Sequence, residues 1–159
     1  MLKTKNIFKY LLAAHILIII TVYYIEYILD VYACRLCKYQ RLPFFLNIIA
    51  LIFLIINKEK FFKFFYIFIF SVFINIGIAT YHVGIEQKIF EESKVCKIDN
   101  NVKNKEQLLK ELYKKNKPGC SEVTFKLLGF SLSSLNLMTN IVFLLISAHI
   151  YRNEKKYNY

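Results

Sequence analysis

Four long apolar blocks dominate the chain. Tyr10 to Leu29 holds 20 residues with one charge, Glu26. Leu42 to Asn57 holds 16 with none, Phe64 to Ile85 holds 22 with none, and Leu127 to Tyr151 holds 25 with none. A soluble amphipathic helix keeps a polar stripe at a period of 3.6 residues. Runs such as Ile16–Ile20 and Phe64–Phe70 have no such stripe. Crossing about 30 Å of hydrocarbon takes roughly 20 apolar residues in a helix. Three blocks meet that length. The second is short, but Arg41 and Lys58 at its ends can snorkel to the headgroups. With no water in the bilayer core, every backbone polar group must be satisfied internally, so the spans must be helical. The pattern predicts an all-α, integral membrane four-helix bundle with spans at about 10–29, 42–57, 64–85 and 127–151. It forms a single membrane domain over 1–159, with a short loop, 30–41, and a long loop, 86–126, on one side.

The first block is preceded by Lys3, Lys5 and Lys9, as a secretory signal would be. It is longer than the 7–15 residues of a signal's apolar region, and Glu26 and Asp30 sit where such a signal is uncharged. It is read as a retained span.

Composition changes the picture little. Of 159 residues, 57% are hydrophobic, and the net charge is +11. A charge of that size on a soluble chain would point to nucleic acid. On four apolar spans it points instead to lipid headgroups, and no nucleic-acid partner is expected. The positive-inside rule does not orient the chain. Nine Lys and Arg fall on the side of the termini and thirteen on the other.

The cysteines orient it. Cys34 and Cys37 form a C-x-x-C in the short loop, and Cys96 and Cys120 lie in the long loop. All four fall on one face, which suits an oxidising compartment. Three readings compete. A Cys₄ zinc site wants two close pairs, and Cys96 and Cys120 are 24 residues apart, so no metal is expected. Two structural bridges would make the protein a non-catalytic membrane scaffold, but a C-x-x-C bridge closes too small a loop to gain much stability. C-x-x-C pairs outside metal sites are usually redox-active, which favours a membrane dithiol relay. Arg35, Lys38 and Arg41 surround the pair, and nearby cations favour a thiolate. If the second helix begins near Leu42-Pro43, proline suits its first turn. His15 and His149 lie at matching depth, as a haem would need, but neither belongs to any motif found here.

Cys34-Arg35-Leu36-Cys37-Lys38-Tyr39-Gln40-Arg41 resembles the C-x-x-C-x-Y-[QE]-R signature of the DsbB disulfide-bond formation proteins. Tyr81-His82-Val83-Gly84-Ile85-Glu86 is similar to that family's Y-H-x-G-x-E stretch. Leu128-Gly129-Phe130-Ser131-Leu132 with Asn136 resembles its L-G-L-S-L-A-x-x-N segment. VKOR-like quinone oxidoreductases also join two cysteine pairs to four helices, but their loop pair precedes the C-x-x-C.

The resemblance implies a route for electrons. A reduced DsbA-like periplasmic thioredoxin-fold partner attacks a Cys96–Cys120 disulfide at Cys96. Cys120 passes the equivalents to Cys34–Cys37. Cys37 then faces a membrane quinone, ubiquinone or menaquinone, with Arg41 and His82 as cofactor-binding residues. The protein would lie in the bacterial inner membrane with its termini cytoplasmic and its cysteine loops periplasmic. The established potential of DsbA, near −120 mV, lies far above that of structural disulfides, below about −300 mV, and the gap of roughly 180 mV is about 8 kcal/mol uphill for an ordinary disulfide. Such a carrier therefore needs a high-potential acceptor.

Within the long loop, Lys105 to Asn116 places Leu108, Leu109, Leu112 and Tyr113 on one helical face. Glu106–Lys110 and Glu111–Lys115 are i,i+4 pairs in the favourable order. This predicts an amphipathic helix on the membrane surface.

Overall fold

The computed structural model describes residues 2–56, 61–92, 96, 119–123, 125–127 and 129–157. The amphipathic segment expected at 105–116, the tip of the 58–63 turn and Leu128 lie outside these residues.

The chain forms α1 (Leu2–Tyr27), α2 (Arg35–Ile56), α3 (Phe61–Glu86), a two-stranded hairpin of β1 (Lys126–Leu127) and β2 (Phe130–Ser131), and α4 (Leu132–Tyr157). All four helices are long and apolar enough to cross a membrane. Their outward faces carry large apolar side chains at high exposure, among them Leu17 at 66%, Phe70 at 68% and Leu145 at 65%. In water such faces would be buried against something. Here they are the lipid surface of a four-helix membrane bundle.

Helix α1 packs on α2, α2 on α3 and α3 on α4. The core along the helices is built from Phe8, Leu11, Phe44, Leu51, Leu54, Phe65, Phe68 and Phe143. His15 of α1 closes the ring by stacking on Phe143 of α4, with centroids 4.3 Å apart. Its Nδ1 hydrogen-bonds the Leu11 carbonyl at 2.8 Å, and Asn47 Nδ2 donates to its Nε2 at 3.3 Å. Both ring nitrogens are thus occupied, while His149 is exposed. The two histidines do not form a haem site.

Two boundaries at the cysteine end of the bundle differ from the sequence pattern. Helix α2 starts at Arg35, seven residues before the expected start near Leu42. Pro43 therefore lies inside the helix rather than in its first turn. The early start gives α2 22 residues, a rise of about 33 Å, so the second span is not short. The fourth block begins as a hairpin. Lys126 pairs with Ser131 and Leu127 with Phe130, and the turn uses Gly129 at φ +86°, a left-handed conformation that favours glycine. Ser131 then caps α4, its Oγ accepting the Ser134 N–H at 3.2 Å.

Candidate functional site

Cys34 is the residue immediately before α2, and it occupies the N-cap position. Its carbonyl accepts the Lys38 N–H at 3.2 Å, and its Sγ accepts the Cys37 N–H at 3.2 Å. The three-residue spacing of C-x-x-C matches an N-cap side chain and the N3 amide it satisfies. The positive end of a helix favours a sulfur anion there.

The two sulfurs of the pair lie 2.9 Å apart. His82 Nε2 lies 3.5 Å from Cys34 Sγ. A sulfur facing two N–H donors is the acceptor, so Cys37 keeps the shared proton. The Cys37 thiol is the largest influence holding Cys34 down from the ordinary 9.0 to about 5. Burial opposes it, and the hydrogen bond and charge of His82 and the Cys37 N–H add to it.

The tautomer of His82 follows from its neighbours. Gln40 Nε2 lies 3.2 Å from His82 Nδ1, and an amide nitrogen only donates. Nδ1 is therefore the acceptor, and the neutral ring carries its proton on Nε2, facing Cys34. The orientation of Gln40 is fixed in turn, because Asn136 Nδ2 donates to Gln40 Oε1 at 2.9 Å. Asn136 also donates to Asn75 at 3.3 Å and receives Asn140 Nδ2 at 2.7 Å. This amide chain runs from the thiols into the bundle across α2, α3 and α4. Buried amides satisfied in this way join helices within a bilayer.

Glu86 ends α3. One carboxylate oxygen lies 3.6 Å from His82 Nε2. The other receives the hydroxyls of Ser131 at 2.6 Å and Ser133 at 2.5 Å. The carboxylate therefore sits at the positive end of α4 and ties it to α3. Beyond Glu86 the chain turns sharply. Lys88 takes φ 60°, its N–H bonds the Ile85 carbonyl at 2.9 Å, and the Ile89 N–H bonds the Gly84 carbonyl at 2.8 Å. This is a Schellman cap. It folds the Phe90 ring into the space where a side chain on Gly84 would be.

The long loop returns to the same place. Cys96 and Cys120 form a disulfide with Cα atoms 5.5 Å apart. Cys34, Leu36, Ile85, Cys96 and Cys120 pack as one buried cluster, with Cys37 at its edge. His82 also lies against the Cys120 backbone. Glu92 supports the loop by accepting the Ser121 N–H at 2.7 Å.

A cavity of about 290 Å³ opens beside Cys37. Its walls are mostly aliphatic, from Leu17, Val22, Ile25, Leu132 and Leu135, with Cys37, Gln40, Arg41, Glu26 and Asn136 adding polar atoms. The two cysteines thus divide the site. Cys37 lines the cavity, while Cys34 is buried against the loop disulfide.

The structure brings together Cys34, Cys37, Cys96, Cys120, Arg41 and His82, from α2 and its cap, from α3 and from the long loop, at one end of the bundle. It places two of the expected features differently. His82 is absent from the cavity lining and contacts Cys34 instead. The cations expected around the thiolate also turn elsewhere. Arg35 is exposed, and Lys38 and Arg41 both reach Glu26 on α1. Sequence reasoning did not assign Glu26, Glu86 or Gln40 to the site. The i,i+4 spacing of His82 and Glu86 was the available signal for one of them.

Cys34, Cys37 and His82 have their ligating atoms within 4.8 Å of one another. The two sulfurs, 2.9 Å apart, are within hydrogen-bond reach of each other.

Comparison with known proteins agrees with this geometry. The chain is 30% identical over 139 residues to the uncharacterized protein RP370 of Rickettsia prowazekii (strain Madrid E), covering 85% of this chain and 80% of that protein. The profile of the family described as disulfide bond formation protein DsbB matches residues 4–150, which take in all four helices and both cysteine pairs. The chain belongs to the DsbB family of membrane disulfide-bond formation proteins.

Proposed function

We propose that this protein re-oxidises a DsbA-like dithiol protein and delivers the electrons to a membrane quinone. The observation that carries the reading is the division of the C-x-x-C. Cys37 faces a cavity set among lipid-facing helices, and Cys34 is buried beside the Cys96–Cys120 disulfide. A relay between a protein dithiol and a lipid-soluble acceptor needs one cysteine on each side.

The cavity suits a quinone head. Its aliphatic walls match an apolar ring, and the second amide hydrogen of Gln40 and the guanidinium of Arg41 offer donors to carbonyl oxygens. Arg41 Nε is buried and has no hydrogen-bond partner among the described residues, so one donor is left for a ligand acceptor. A bound quinone would supply a two-electron acceptor.

The remaining steps belong to the cysteines. A thiolate of the partner attacks Cys96, and Cys120 leaves as a thiolate. Cys120 attacks Cys34 of an oxidised Cys34–Cys37 pair and releases Cys37. The partner's second thiol resolves its bond to Cys96, Cys96 then displaces Cys34 from Cys120, and Cys34 and Cys37 remain as the reduced pair. One thiol and one thiolate then become a disulfide and release two electrons and one proton. Cys34 suits the middle of this chain, since His82 and the helix end stabilise it as the leaving thiolate. The thiol end would face the periplasm of a bacterial inner membrane, with both termini cytoplasmic.

The test is trapping in cells. Cys120→Ser leaves Cys96 without its internal partner. A reducible adduct between Cys96 and a periplasmic thioredoxin-fold protein is expected, and it should vanish when Cys96 is also replaced by Ser. Absence of any adduct from Cys120→Ser would oppose the relay.

A further inference from the structure

The cavity beside Cys37 carries two full charges, and they come from different helices. Glu26 of α1 and Arg41 of α2 both line it, and their side chains form an ion pair. Each is almost sealed from solvent, at 10% and 11% exposure. Tyr23, one turn before Glu26, lays its ring 4.8 Å from the guanidinium carbon. Lys38 also approaches Glu26, at 3.5 Å, but is half exposed and stands outside the lining. The remaining lining residues carry no formal charge, Cys37 keeping its proton. The wall is therefore neutral in sum, and one guanidinium nitrogen, Nη1, is already held by a carboxylate.

We propose that Glu26 makes this cavity select neutral quinone heads and reject anionic ones. The inference rests on the quinone reading above and deepens it. A guanidinium beside apolar walls pairs strongly with an anion, because little solvent screens it. With Glu26 seated on it, a second anion gains little from Arg41 and meets a carboxylate of its own sign. A neutral carbonyl oxygen needs one hydrogen bond only, and the free Nε of Arg41 can give it. Specificity here comes from a repulsive element as much as from an attractive one.

The test compares two quinones on the purified full-length protein. One is 1,4-naphthoquinone, which is neutral. The other is its 2-hydroxy derivative, which is ionised at neutral pH. Equilibrium binding is measured for the wild type, Glu26→Gln and Glu26→Asp. The wild type and Glu26→Asp should prefer the neutral quinone. Glu26→Gln should shift the affinity ratio toward the hydroxyquinone by about tenfold, equivalent to about 1.4 kcal/mol. A ratio unchanged within about twofold would overturn the proposal, as would a Glu26→Asp protein that loses the preference. Loss of both quinones by Glu26→Gln would make Glu26 a folding residue and would also overturn it. A wild type that binds neither would remove the quinone reading itself, and this inference with it.

Discussion

His82 Nε2 lies 3.5 Å from Cys34 Sγ, although the two residues are 48 positions apart, one on α3 and the other capping α2. The contact adds to the larger effect of the Cys37 thiol in making the first cysteine of the C-x-x-C an anion site. In the reduced protein, Cys34 should be a thiolate at neutral pH and should lose that form as pH falls through about 5. An ordinary cysteine loses it through about 9. Pulse alkylation followed by peptide mapping measures this directly. Removing the imidazole in His82→Ala takes away a donor to the anion, so the midpoint should move up. An unchanged midpoint would mean that Cys37 and the helix end alone hold the charge.

Glu86→Ala should destabilise the bundle by about 2 kcal/mol, since two hydroxyls lose a charged acceptor. Glu86→Gln keeps an acceptor oxygen and should cost less. Reversible unfolding in detergent gives both values.

Gly84→Ala should cost about 1 kcal/mol, the low end of the overpacking range, because the added carbon meets the Phe90 ring, which is half exposed and can move aside. The double variant Gly84→Ala, Phe90→Ala should lose less than the sum of the two single variants. Additivity would show that the ring does not need the glycine.

Much of this architecture could be read from the sequence. A lipid-facing helix must be apolar all round, so the four blocks stood out without any structure. The start of α2 did not. Arg35 to Arg41 is too polar to resemble a span, yet it forms two helical turns because Cys34 caps them. The spacing that defines the C-x-x-C is also the spacing of a cap, and that double meaning hid the boundary. The hairpin at 126–131 was hidden for the opposite reason. Leu127, Leu128 and Phe130 extend an apolar run, and only Gly129 and the capping Ser131 mark the break. The motifs named Arg41 and His82, but which groups these side chains touch depends on contacts between helices. That Arg41 pairs with Glu26 of α1, and His82 with Cys34, is a contact between elements that no local pattern reveals.

The most direct test of the relay is quinone reduction by purified protein, supplied with a reduced DsbA-type partner and followed by ultraviolet absorbance. Wild type is run beside Cys37→Ser. The account predicts turnover by the wild type and none by Cys37→Ser, the variant lacking the thiol that faces the cavity. Turnover that survives Cys37→Ser would contradict the division of the site. A folded wild type that holds both disulfides and reduces no quinone with any such partner would contradict the relay itself, leaving the cysteines as structural bridges.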